Sequence, residues 1–101
     1  MKRTKTEDAN KILADAQGER CFWVNNGPVL RNLYELYGAL KEMSNRTFQH
    51  HVNNEKNDFS AWVKEVIGDE KLANELLKSK NKLTAAKYVE SRITALKKMC
   101  A

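Results

Sequence analysis

The sequence predicts an all-α fold, a compact bundle of about five to six short helices forming a single domain over residues 1–101. Three observations carry this expectation. One Pro and four Gly in 101 residues leave few helix breakers. Apolar residues recur at three- and four-residue spacing through most of the chain. The stretches between these segments are short, as helix–helix connections in bundles are.

The elements follow in order. Residues 5–17 suit a short helix with Ile12, Leu13 and Ala16 on one face, Thr6, Glu7 and Asp8 in its first turn and Gly18 closing it. CFWV (21–24) is too short for a helix and reads as a buried extended segment, after which Asn25, Asn26 and Gly27 turn the chain. Pro28 then suits a first helical position, so a helix is expected over 28–43. Its stripe is Leu30, Leu33, Tyr37 and Leu40, joined by Tyr34, Leu36 and Met43. Gly38 inside it costs roughly 1 kcal/mol relative to Ala, which points to a neighbouring chain passing closely.

Ser44 can cap a short helix carrying Phe48 and Val52. Asn57 or Asp58 caps the next, with Phe59, Trp62, Val63, Val66 and Ile67 as its stripe and Gly68 as its stop. Asp69 restarts the chain into EKLANELL, with Leu72, Leu76 and Leu77 inward. Ser79 or Asn81 begins the last helix, which is basic and runs to about residue 99.

Within this pattern lies a longer signature. An FxxxxG segment and an L-x-x-L-x-E-L helix are followed by HV…NDF-x-x-W-[IV]…GD…LA. The residues are Phe22, Gly27, Leu30, Leu33, Glu35, Leu36, then His51, Val52, Asn57, Asp58, Phe59, Trp62, Val63, Gly68, Asp69, Leu72 and Ala73. Over about residues 22–73 the chain resembles a family of small archaeal and bacterial helical proteins and domains with no assigned function. The resemblance implies a helical domain and brings with it no catalytic residue, cofactor or partner. The basic C-terminal third lies outside it.

Composition narrows the function classes. With 42% hydrophobic and 31% charged residues the chain is too apolar to be disordered. No apolar run approaches the ~18–20 residues that cross a bilayer, so no membrane association is expected. MKRTKTEDANK is followed by no apolar segment of the secretory type, and a cytoplasmic location is the expectation. Cys21 and Cys100 lack CxxC spacing and are expected to be free thiols, with Cys21 inert beside Phe22 and Trp23.

No Gly-rich phosphate loop, GxSxG elbow or HExxH motif occurs, so neither an enzyme nor a cofactor is expected. Adjacent His50 and His51 diverge by about 100° on a helix and suit a shared metal ion poorly, so no metal site is expected. His51 reads as an imidazole at a helix end, donating to a backbone carbonyl or to Asp58.

Charge gives the functional lead. Residues 71–101 carry eight Lys/Arg against Glu75 and Glu90, a net of +6, while residues 1–70 net −1. Such asymmetry favours an anionic partner. The candidate contacts are Lys78, Lys80, Lys82, Lys87, Ser91, Arg92, Lys97 and Lys98. Lys and hydroxyl groups contact phosphate without reading sequence, so the expected partner is DNA or RNA, bound non-specifically. An ordinary solvated lysine face would carry the same residues. The alternative is a protein–protein adaptor or homodimer. It would use Phe22, Trp23, Tyr34, Tyr37 and Trp62, or the terminal seam of Ala86, Val89, Ile93, Leu96 and Cys100.

Overall fold

Side-chain caps decide where most of the helices begin. The computed structural model describes the backbone of residues 5–100 and the side chains of residues 8–100, so the expected first-turn roles of Thr6 and Glu7 lie outside the described side chains. Six α-helices occur in this range: α1 Lys5–Leu13, α2 Leu33–Glu42, α3 Asn45–His51, α4 Asp58–Trp62, α5 Glu70–Leu77 and α6 Lys82–Cys100. Five of them start on a side-chain oxygen that accepts a backbone N–H three residues on. The pairs are Asn32 with Glu35, Ser44 with Thr47, Asn57 with Ser60, Asp69 with Leu72 and Asn81 with Thr84. Each such cap is worth about 1 kcal/mol.

The α2 start corrects the expectation of a helix from Pro28. Asn32 caps instead, and Glu35 reaches back one residue past the cap to accept the Arg31 N–H at 2.8 Å, a variant of the capping box. Residues 22–30 form a small antiparallel hairpin, β1 Phe22–Trp23 with β2 Val29–Leu30, in register Phe22↔Leu30 and Trp23↔Val29. Asn26, at φ 57°, turns the chain between them. A Cβ on Gly27 would stand 2.9 Å from Val24 Cγ1, so the turn needs glycine there. Alternation along the hairpin buries Phe22, Val24 and Leu30 but leaves Trp23 70% and Val29 40% exposed, correcting the wholly buried reading of CFWV.

After α4 the helix widens into a π turn over Val63–Ile67, where the Val63 carbonyl accepts from both Gly68 and Asp69. Gly68, at φ 86°, ends it as a left-handed cap. The π turn keeps Val63 and Ile67 inward and delivers Asp69 to a buried position.

α6 packs against α2, α1 and α5 through Ala85, Ala86, Val89, Ile93 and Leu96, so four of the five seam residues face the protein's own core. The radius of gyration, 13.2 Å, matches the ~13 Å of a compact domain this long. Leu77, expected inward, is 58% exposed because it lies about 100° around α5 from buried Leu76. Nothing lies within 4 Å of a Cβ built on Gly38, so no chain passes there. Cys21 and Cys100 are free. Among the described residues no helix is long and apolar enough to cross a membrane.

An aromatic cluster centres the core. Phe59 stacks on Phe22 at 4.9 Å and on Phe48 at 5.9 Å, with Trp62 edge-on to Phe22 at 5.7 Å. The Trp62 Nε1–H donates to the Arg20 carbonyl at 2.8 Å, locking the helical half to the segment before the hairpin.

Two substitutions test this account by urea denaturation. Phe59→Ala should cost about 3–5 kcal/mol by opening a cavity at the cluster. Gly38→Ala, into open space, should stabilise by up to about 1 kcal/mol, and a loss would mean that the α2 backbone there is not regular helix.

Candidate nucleic-acid interface

The eight candidate residues do not share one face. Lys78 ends α5 and Lys80 stands in the α5–α6 connection, both exposed. Lys87, Ser91 and Lys98 are exposed on α6, within an arc of about 40° at 3.6 residues per turn. Thr84 falls at the edge of the same arc. Arg92 lies about 120° to one side of it and Lys97 about 100° to the other.

Two of the eight are drawn inward. The Lys82 ammonium donates to the Met43 carbonyl just past α2, where a cation also meets the negative end of the helix dipole. The Arg92 Nε–H donates to Asp69 Oδ2 at 2.6 Å, with 16% of the Arg92 side chain and 2% of the Asp69 side chain exposed. Asp69 Oδ1 meanwhile caps α5. These two cations serve the protein's own carbonyl and carboxylate groups and are withdrawn from a phosphate.

The remaining lysines, Lys78, Lys80, Lys87, Lys97 and Lys98, have no ion-pair partner among the described residues. The sole carboxylate of α6, Glu90, accepts from the Tyr37 hydroxyl at 3.0 Å, about 80° from the lysine arc. Lys87 to Lys98 rise about 16 Å along α6, a span of about five phosphates at 3.4 Å per strand position.

His51 takes the role that its position in the sequence suggested. It is buried at the end of α3, and its Nδ1 lies 3.0 Å from Asp58 Oδ2. The Asn25 backbone N–H donates to Nε2 at 3.0 Å, so the ring's proton is on Nδ1 and is donated to Asp58. This is the base–orienter half of a catalytic triad in outline, but the nitrogen that would take a substrate proton is already engaged. With both nitrogens occupied His51 cannot chelate a metal with His50. Among the described residues no three His, Cys, Asp or Glu side chains cluster to hold one.

Asp58 also accepts from Lys56 Nζ at 2.9 Å. Burial alone would raise its pKa, but the hydrogen bonds from Lys56 and His51 outweigh that and hold the carboxyl below its ordinary value of 3.8.

Two features escaped the sequence reading. A polar cleft of about 730 Å³ opens between the 53–57 loop and the end of α5, with Lys80 among its lining residues. A more apolar groove of about 620 Å³ runs between the hairpin turn and α2, floored by Gly38 and Ala39. Both join residues distant in sequence, which no local pattern marks. No protein-family model, curated protein or solved structure matches this chain.

Arg92→Leu should cost about 3–5 kcal/mol in urea denaturation, because Asp69 is left buried without its partner, while Lys87→Ala should stay within about 0.5 kcal/mol. Asp58 gives a pH signature. Its folded pKa is depressed, so its stabilisation is present above about pH 4 and is lost as pH falls through the folded value. Asp58→Asn should therefore be less stable at neutral pH, with its stability curve converging on the wild type in acid.

Proposed function

We propose that this protein is a non-catalytic helical module that holds DNA or RNA without sequence specificity through its basic C-terminal third. The observation that carries the reading is a set of five exposed lysines without counter-ions among the described residues. Lys78 and Lys80 stand before α6 and Lys87, Lys97 and Lys98 on it, with Lys87 and Lys98 sharing an outward arc that bears no carboxylate. Ser91 adds a hydroxyl within that arc. Lys87 to Lys98 alone spread along about 16 Å of α6, which suits an extended polyanion better than a small anion, because no single anion reaches them all. Lysine rather than arginine on the surface fits positioning on a phosphate backbone without base discrimination. The reading places the protein in the cytoplasm, where its two thiols stay reduced.

Fluorescence anisotropy with random-sequence duplex and structured RNA tests this across a salt series. If about four lysines contact phosphate, log K should fall against log salt with a slope of about −3 to −4. Lys87→Glu, Lys97→Glu and Lys98→Glu together should weaken binding at least about tenfold at low salt. Absence of binding at low salt rules the reading out.

One observation favours a second reading. Trp23 and Val29 are cross-strand neighbours on the outer face of the hairpin, and Trp is enriched at protein–protein hot spots. A homodimer built on this face would dissociate in Trp23→Ser during analytical ultracentrifugation. A wild type that stays monomeric at every concentration rules the dimer out.

A further inference from the structure

We propose that the cleft between the 53–57 loop and the end of α5 takes an unstacked base of single-stranded nucleic acid, with the strand's phosphate passing Lys80. This deepens the reading above and rests on it.

The cleft is built, not incidental. The Val52↔Asn57 bridge and the hydrogen bond from Asn53 N–H to the Lys56 carbonyl, 2.9 Å, close the loop into a fixed turn. Asn53 accepts from Glu55 N–H at 3.0 Å, and Asn57 both caps α4 and donates to the Leu76 carbonyl at 3.0 Å. Those two amides shape the walls. Gln49 and Asn54, by contrast, are exposed along the same cleft with side-chain amides that bond to no protein group. Each offers a donor and an acceptor together, the pairing that matches the edge of a base. Leu77, 58% exposed at the end of α5, supplies an apolar surface for a ring face.

The charges narrow the ligand. Lys56 is paired with Asp58, and Glu55 adds a carboxylate to the lining, so the loop side of the cleft offers a phosphate no free cation. Lys80 also lines the cleft, without a counter-ion among the described residues, and is two residues on from Lys78 in the α5–α6 connection. The matching ligand is therefore a polar ring carrying its negative charge at one end. A volume of about 730 Å³ lies within the ~300–1,000 Å³ of small-ligand sites and leaves room for a base with its sugar. A duplex cannot present a base edge into a concavity of this kind, whereas a single strand can splay one out.

The test uses short labelled single strands and a duplex of equal length, at one salt concentration. Single strands should bind about tenfold or more tightly than the duplex. Gln49→Ala with Asn54→Ala should lower single-strand affinity about tenfold and leave duplex affinity unchanged, while Lys87→Glu with Lys98→Glu should lower both alike. Neither amide supports the fold, so the double variant's melting temperature should match the wild type, which separates lost recognition from lost structure. Equal affinity for both forms, or a double variant indistinguishable from wild type, overturns the base cleft and leaves the lysine reading standing. A wild type that binds neither form overturns both.

Discussion

The arrangement of this fold turns on one buried imidazole. His51 receives the Asn25 N–H on one nitrogen and gives its proton to Asp58 with the other, so the hairpin turn, the end of α3 and the start of α4 meet on a single ring. The same ring packs edge-on against Phe22 at 5.0 Å and tilted against Phe59 at 5.2 Å. Were either hydrogen bond lost, a polar nitrogen would remain buried among aromatic groups at a cost of about 1–3 kcal/mol. Two directional bonds fix the ring's rotation, and the ring fixes where Phe22 enters the core. Strand alternation then sends Trp23 outward, so its exposure follows from the packing of its neighbour.

A second tie sets the rotation of the longest helix. The Asp69–Arg92 pair lies where the π turn ends, and Asp69 caps α5 with its other oxygen. Taking two charges out of water is expensive, and such a pair stabilises little compared with a hydrophobic one. Its effect is geometric. With Arg92 held on one flank of α6 and Val89, Ile93 and Leu96 inward, Lys87, Ser91 and Lys98 can face only the solvent. One cation of the basic third is thus used to orient the others.

Much of this was legible locally. Ser44, Asn57, Asp69 and Asn81 each cap a helix as their side chains favour, and Gly68 stops one through its left-handed backbone, because capping is decided within four residues. Pro28 misled, since its fixed φ suits a strand next to a turn as well as a helix start, while the Asn32-x-x-Glu35 capping pattern named the true boundary. The net charge revealed a basic third but not that Lys82 and Arg92 were committed, as their partners Met43 and Asp69 lie 39 and 23 residues away. The cleft was illegible for the same reason. Its walls come from residues 49–57 and 77–80, and the asparagines that shape it look, in sequence, like any polar loop.

The lysine arc and the cleft differ in physical character, and that difference bears on selectivity. Exposed lysines act on a polyanion through a screened field, so they hold any phosphate backbone about equally well and weaken together as salt rises. A concave wall of amides acts at hydrogen-bond range and is largely indifferent to salt, but it requires a ligand able to enter. Glu55 is the residue that separates these roles, because a carboxylate in the lining would be pure loss in a phosphate site. It is compatible with a base edge, whose amino groups it can accept from. On the proposed reading, the backbone of a bound strand would pass Lys80 rather than Glu55. On that reading, affinity would reside in the lysines, and a preference for an unpaired strand would reside in the loop that follows His51.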